Sequence, residues 1–372
     1  MGIEQVVVVG AGPGGLAVAA ALGHRGIPSV VLERSDGVGA SWRGHYDRLH
    51  LHTTRRLSGL PGMAIPRRFG RWVSRDDVVR YLEAYARRQG LEVRTGVEVT
   101  RIERAADGWA VRTAAGEELT TRTVVVATGY NHTPAPFDVP GVERFTGEIL
   151  HASRYRNPEP FRGRRVLVVG IGNTGAEVAA DLADGGAAQV WIAVRTPPHI
   201  VRRSILGWPA QATGILVRHL PVPVVDRMAQ VLALSVPNLT SQGLPRPTSG
   251  MYTRVLAGSV PVQDVGLLDA VRTGRVQPVG AVAAVEGAEV VLVDGARLTP
   301  DVIVAATGYR RGLEPLVGHL GVLDQHGRPV ALGGSPAAPG LYFTGYTNPI
   351  SGMLRERRID AVRIARAVAA GR

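Results

Sequence analysis

Short apolar runs, each cut off by a glycine-rich turn, set the pattern of this chain. Val6, Val7, Val8 and Val9 follow one another without a polar interruption, as in a strand buried on both faces. The run stops at Gly10-Ala11-Gly12-Pro13-Gly14-Gly15, the small-residue stretch 16–22 reads as a helix, and a second strand over 29–32 ends on Glu33. The same order recurs further on. A strand over 166–169 breaks at Gly170-Ile171-Gly172-Asn173-Thr174-Gly175, a helix runs through Leu182, and a strand over 190–194 ends on Arg195. Matching phrases close the two copies: 123–127 leads into Thr128-Gly129-Tyr130, and 301–306 into Thr307-Gly308-Tyr309. Before each closing strand lies a stretch of strand-like alternation, 92–113 and 276–293, with turns at Asp107-Gly108 and Asp294-Gly295. The pattern predicts an α/β chain of two nested Rossmann-like dinucleotide-binding domains, the second inserted into the first.

Composition narrows the chemistry. With 372 residues, 45% hydrophobic and 20% charged, the chain can fill about two globular cores. No apolar run approaches the ~20 residues of a membrane helix, and the first strand begins within a few residues of Met1, so a cytoplasmic protein without an integral membrane segment is expected. The net charge of +12 comes from 43 basic residues, all arginine and dispersed apart from pairs such as Arg67-Arg68 and Arg87-Arg88, a distribution that argues against nucleic acid as a partner. Without lysine there is no Schiff-base nucleophile and no P-loop lysine. Without cysteine there is no disulfide framework, thiolate metal site or redox-active pair, and no metal site is expected.

In such turns one glycine permits the bend, another lets a pyrophosphate approach the backbone, and a third lets helix pack on strand, with the phosphates at the helix N-terminus. Gly10, Gly12, Gly14 and Gly15 are candidate contacts of one dinucleotide; Gly170, Gly172, Asn173, Thr174 and Gly175 of another. The residues ending the second strands differ in charge. Glu33 can accept from a ribose 2′-hydroxyl and repels a 2′-phosphate, which suits FAD, whereas Arg195 favours the 2′-phosphate of NADP. Arg34, Trp42, Thr128, Gly129, Gly345 and Asn348 join the FAD set, Thr307 and Gly308 the NADP set. The segment 353–368 reads as an amphipathic helix whose positive end can face reduced flavin. FAD-domain material is expected over 1–150 and 310–372 and the NADPH domain over 151–309, with the proline-rich 197–263 as a substrate wall or lid. Nested domains of this kind also build glutathione-reductase-like disulfide reductases. Those deliver electrons to a cysteine pair; with none present, molecular oxygen is the natural acceptor.

Between the modules, Phe145, Gly147, His151 and Tyr155 spell FxGxxxHxxxY, the signature of class B flavin-containing monooxygenases, and the chain resembles that family over nearly its whole length. The resemblance is strongest to the YUCCA-type branch, whose plant members oxidatively decarboxylate indole-3-pyruvate. It implies an FAD- and NADPH-dependent monooxygenase in which reduced flavin takes up oxygen at C4a and oxygenates a small organic substrate, with a 2-oxo acid as the candidate. His151 then belongs to an interdomain hinge, and His52 and Asn131 are the candidate catalytic residues that tune hydrogen bonding at C4a. Baeyer-Villiger enzymes usually end the motif in tryptophan where Tyr155 stands, and amine or sulfide oxygenases usually place asparagine where His52 stands. N- or S-oxygenation and Baeyer-Villiger oxidation remain alternatives; from another class, so do an NADPH oxidase or flavin reductase and a redox-regulated flavoprotein. The partners implied are a small-molecule substrate and oxygen, with a homodimer left open.

Overall fold

The computed structural model describes residues 4–371, which fall into two compact units. The first comprises residues 1–44, 53–133 and 309–372; the second comprises 45–52 and 134–308. Residues 134–150, grouped with the first domain by sequence, lie in the second unit because the strand Glu148–His151 is an edge of its sheet. The insertion 45–52 is also part of the second unit, a placement with no local signature.

In the first unit Glu4–Val9 pairs in parallel with Val30–Glu33 on one side and with Glu118–Val126 on the other, and Glu92–Thr95 extends the sheet beyond Val30–Glu33. The nine-residue strand Glu118–Val126 serves two neighbours along one edge. Its first half joins the antiparallel meander of Gly108–Thr113 and Val99–Ala105, and Val124, Val125 and Val126 pair in parallel with Leu341–Phe343. Every residue of Val30–Glu33 is buried, as an uninterrupted apolar strand requires. The core gathers Val7, Leu32, Val124, Val126, Phe343 and Trp109, whose indole N–H donates to the Pro339 carbonyl at 3.1 Å. The helix Pro13–Gly23, rich in glycine and alanine, packs along Met353–Ala370.

The second unit repeats the theme with a five-stranded, all-parallel sheet in the order Gln277–Val279, Gln189–Ala193, Arg165–Val169, Val302–Ala305, Glu148–His151. Helix Asn173–Asp184 follows its glycine turn, and a small antiparallel sheet of Val282–Glu286, Glu289–Leu292 and Arg297–Leu298 accounts for the alternation in the sequence. Residues 197–263 form their own elements: a hairpin of Ser204–Ile205 with Trp208–Pro209 and the helices Ala210–Val217, Val222–Leu232 and Met251–Leu256. Among the described residues no helix is long and apolar enough to cross a membrane.

Candidate functional site

In each glycine turn two glycines are needed by the protein itself, and one faces open space. Gly10 has φ +105°, and a Cβ there would stand 2.7 Å from the Ala127 carbonyl oxygen. A Cβ on Gly15 would stand 1.9 Å from the Gly10 carbonyl oxygen, so helix Pro13–Gly23 can approach the strand only if that position is bare. Gly12 differs: its φ of −76° suits any residue, and a Cβ there would meet no protein atom within 4 Å. The second turn is the same in each respect. Gly170 has φ +105° and faces the Ala306 carbonyl, Gly175 would clash with the Gly170 oxygen at 1.9 Å, and Gly172, at φ −78°, faces open space. Open space beside the first N–H groups of a helix fits a pyrophosphate at each turn.

Around the first turn, Glu33 is buried and braces the loop. Its carboxylate accepts from the Ala11 N–H at 2.7 Å and from the backbone N–H and hydroxyl of Ser35 at 3.0 and 2.8 Å. The Gly39 N–H donates to the Ala11 carbonyl, which sets the short helix Ala40–Arg43 and its half-buried Trp42 beside the same loop. Arg34 is exposed, with Nη1 3.4 Å from His132 Nε2; burial, and then Arg34 itself, hold His132 below the usual histidine range. Asn131 is exposed in the same unit.

Thr128 and Gly129 meet the C-terminal segment. The Thr128 N–H donates to the Tyr346 hydroxyl at 3.2 Å and the two hydroxyls lie 2.8 Å apart, while burial pushes Tyr346 up to about 12. Gly345 has φ +102°, and a Cβ there would lie 3.6 Å from the Gly129 Cα. Asn348 is half-buried and makes no hydrogen bond among the described residues.

Beside these residues stands Arg357, which the sequence reading did not single out. It is 4% exposed, donates from Nη2 to the Thr347 carbonyl at 2.8 Å and keeps Nη1 3.6 Å from Asp360, yet Nη1 has no hydrogen-bond partner. Its Cδ lies 3.5 Å from the point where a Gly14 Cβ would sit. Burial lowers the Arg357 pKa and raises that of Asp360, each partly offset by the other charge. A buried cation with an unused donor next to the glycine turn can receive an anion. The available signal was a charge on the apolar stripe of its helix, in line with Leu354, Ala361 and Ile364.

At the second turn several candidate residues are spent within the protein. The Asn173 side chain donates to the Pro261 carbonyl at 3.3 Å and accepts from the Gln263 N–H at 2.8 Å, which fixes the chain at 261–263. Thr174 is half-buried in the first turn of the helix. The Thr307 hydroxyl donates to the Ala135 carbonyl at 2.6 Å, and the Gly308 carbonyl accepts from the Ala135 N–H at 2.9 Å and contacts His151 Nε2 at 3.0 Å. Arg195, immediately after Val194, is exposed and has no hydrogen-bond or ion-pair partner among the described residues. Its guanidinium remains available for a phosphate.

His52 belongs to the second unit and Asn131 to the first. Nε2 of His52 lies 2.8 Å from Oε1 of Glu177, a carboxylate 3% exposed on helix Asn173–Asp184, in a polar contact that is not aligned as a hydrogen bond; Nδ1 is buried without a partner. One turn along, Asp181 accepts from the Tyr155 hydroxyl at 2.8 Å and lies 3.4 Å from Arg48, which also reaches Asp184 at 2.6 Å. Burial, reinforced by Asp181, pushes the Tyr155 phenol well above its usual range. Segment 45–52 is thus strapped to this helix through both Arg48 and His52. Glu177 and Asp181 were also missed, although acids four apart in an alanine-rich helix mark one face that must find partners. No cluster of histidine and acidic residues among those described could hold a metal ion.

Residues 7–204 match the family model for pyridine nucleotide-disulphide oxidoreductases. The chain is 42% identical over 314 residues to indole-3-pyruvate monooxygenase YUCCA1 of Oryza sativa subsp. japonica, covering 83% of this chain and 77% of the relative. It is 36% identical to probable indole-3-pyruvate monooxygenase YUCCA9 of Arabidopsis thaliana, covering 98% and 88%. Among solved structures, a flavin-containing monooxygenase from Stenotrophomonas maltophilia superposes with a TM-score of 0.75 at 23% identity, covering 100% of this chain and 99% of that one, a likeness of fold.

Proposed function

This chain belongs to the YUCCA-type flavin monooxygenases within the pyridine nucleotide-disulphide oxidoreductase family, and from that membership we propose that it oxidatively decarboxylates a 2-oxo acid. The enzyme is an FAD- and NADPH-dependent monooxygenase. In this reading the first unit takes FAD and the second NADPH. The observation that carries the assignment is the pair of open cradles at Gly12 and Gly172, one beside a carboxylate at Glu33 and the other with an unpartnered guanidinium at Arg195. Bound flavin supplies the two-electron chemistry that passes hydride equivalents to oxygen. The residues of the chain bind, orient and shield it. The Gly12 N–H and its helix hold the pyrophosphate, Trp42, Thr128, Gly129, Gly345 and Asn348 line the rest, and Arg357 offers a buried positive charge. His52 and Asn131 supply hydrogen bonds for the oxygenation step, with Glu177 setting the orientation of the His52 ring.

The reaction balances as 2-oxo acid, oxygen, NADPH and a proton giving the shortened carboxylic acid, carbon dioxide, water and NADP⁺. The test is to incubate the holoenzyme with indole-3-pyruvate, phenylpyruvate and, as controls, a ketone, a tertiary amine and a thioether, following carbon dioxide and acid by mass spectrometry. Acid and carbon dioxide in step with NADPH consumption support the reading. Oxygenation of only the ketone, amine or thioether overturns the substrate class and leaves the monooxygenase assignment standing.

Two residues give separate expectations. Arg195→Ala should lose about 1.5–3 kcal/mol of NADPH recognition, the value of a charge-assisted contact, and leave NADH almost untouched; stopped-flow flavin reduction with both nucleotides measures it, and an undiminished NADPH preference would assign the 2′-phosphate to another residue. Arg357→Gln should weaken FAD binding by about tenfold, for the loss of a charged hydrogen bond of about 1.5 kcal/mol, and Arg357→Lys should recover part of it. Fluorescence titration of apoprotein with FAD reads this directly. Equal affinities in all three proteins would make Arg357 a purely structural cation.

A further inference from the structure

The stretch 197–263, expected from sequence to be a substrate wall or lid, instead exposes much of its apolar surface to solvent. Of the fifteen large apolar side chains exposed among the described residues, eleven fall within residues 205–256. Scattered surface leucines need no explanation, whereas a concentration of this kind marks an interaction surface. At one end is the hairpin Ser204–Ile205/Trp208–Pro209, whose two-residue turn is Leu206-Gly207. Both turn residues have positive φ, +46° and +80°, and Leu206 is the single non-glycine residue in that region among those described. Such turns ordinarily take asparagine or aspartate before the glycine. Leu206 instead holds a strained backbone while its side chain is fully exposed, and its neighbour Trp208 is 56% exposed with the indole N–H already satisfied by Thr213. Strain that no internal packing repays points to a partner outside the chain.

The hairpin leads into a helical stretch with the same character. On helix Val222–Leu232, Val225 and Ala229 face inward, while Val224, Met228 and Val231 form an exposed stripe at i, i+4 and i+7, continued by Leu234. Charge decides what such a surface meets. Residues 197–263 contain six arginines and one acid, Asp226. That carboxylate is occupied, accepting from the Thr253 hydroxyl at 2.6 Å and from the backbone N–H of Tyr252. Arg202, Arg246 and Arg254 donate to backbone carbonyls rather than to carboxylates, and Arg227 is exposed without a partner among the described residues. Leucine, valine and tryptophan interspersed with Arg202, Arg227, Arg246 and Arg254, none of them paired with a carboxylate among the described residues, match the boundary of an anionic bilayer, where apolar side chains enter the acyl region and guanidinium groups meet headgroup phosphates.

We propose that residues 205–256 form a peripheral docking face for anionic lipid bilayers, with the Leu206 hairpin tip and the Val224, Met228 and Val231 stripe as its inserting elements. No transmembrane helix is required. Attachment is reversible, strengthened by anionic lipid and weakened by salt.

The experiment is co-sedimentation of the full-chain holoenzyme with vesicles of phosphatidylcholine alone and of phosphatidylcholine with phosphatidylglycerol in equal parts, at low and high salt. Wild type should bind the anionic vesicles and leave the neutral ones largely in solution. Leu206→Ser, and separately Val231→Ser with Leu234→Ser, should weaken binding by about tenfold or more. Arg227→Gln should weaken it by about threefold or more at low salt, and Val330→Ser, on an exposed apolar residue of the other unit, should do nothing. Flavin content and melting temperature confirm that each variant is folded. Absence of wild-type binding to any vesicle overturns the proposal. So does light scattering that shows a wild-type dimer converted to monomer by the serine variants with vesicle binding unchanged, because the face would then be covered by a second copy of the chain.

Discussion

Gly12→Ala should yield a folded protein that holds FAD about thirtyfold more weakly, and Gly172→Ala a folded, yellow protein that needs about thirtyfold more NADPH for reduction. Both follow from the split within each turn. The backbone at Gly12 and Gly172, φ −76° and −78°, accepts alanine without strain, and the added methyl meets no protein atom within 4 Å. It enters only the space where a pyrophosphate must approach the backbone. An added methyl in a filled space costs about 1–3 kcal/mol, so FAD affinity in the first variant, and NADPH affinity in the second, should fall by about thirtyfold. Stability of the apoprotein should stay close to wild type. The neighbouring glycines provide the contrast. Gly15→Ala and Gly175→Ala drive a Cβ to 1.9 Å from the carbonyl oxygens of Gly10 and Gly170, which forces helix from strand and should cost about 3 kcal/mol or more in stability. Flavin content, calorimetry and anaerobic reduction of the four proteins are the measurements. If Gly12→Ala held FAD as tightly as wild type, or if Gly12→Ala and Gly15→Ala were equally destabilised, the division into ligand-facing and structural glycines would fail.

The His52 and Glu177 pair should show itself in stability and in chemistry together. Removing the imidazole takes away the His52 contact of a carboxylate that is 3% exposed, at a cost of about 2 kcal/mol, tempered because the ring is itself 22% exposed. Glu177→Gln keeps the shape and discharges the site. A double-mutant cycle of His52→Ala and Glu177→Gln, followed by denaturant unfolding, should return a coupling of about 1 kcal/mol. In turnover, both single variants should reduce flavin at nearly the wild-type rate while more NADPH ends as hydrogen peroxide and less as oxygenated product. His52→Asn should recover part of the yield, since it retains a donor. Coupling in unfolding with unchanged product yield would leave the pair a strap that fastens segment 45–52 to its helix and would place the control of oxygen chemistry elsewhere.

Much of the architecture was legible because its signals are local. A four-valine strand, a glycine turn and a small-residue helix lie within about twenty consecutive positions, and the pattern occurs twice, so the nested Rossmann-like fold and the opposite charges of Glu33 and Arg195 follow from short-range order. The positive φ of Gly10 and Gly170 belongs to the same local geometry.

What tertiary structure decided was the fate of polar groups whose partners lie far along the chain. Asn173 and Thr307 were candidate cofactor contacts by sequence, and only the folded chain brings Pro261, Gln263 and Ala135 against them. His52 meets Glu177 across 125 positions of sequence, and Arg357 acquires its burial from the Gly14 turn and the Gly345 loop, so neither environment has a periodicity to read. Hydrophobic pattern reports which face of an element turns inward. It does not report which buried charge will find a partner there, because desolvation and pairing are settled by whichever distant segment packs opposite. The sequence by itself therefore determined two dinucleotide modules and the sign of each strand-end charge; the tertiary structure determined which glycines face open space, which side chains already have partners within the protein, and where a buried donor is still unused.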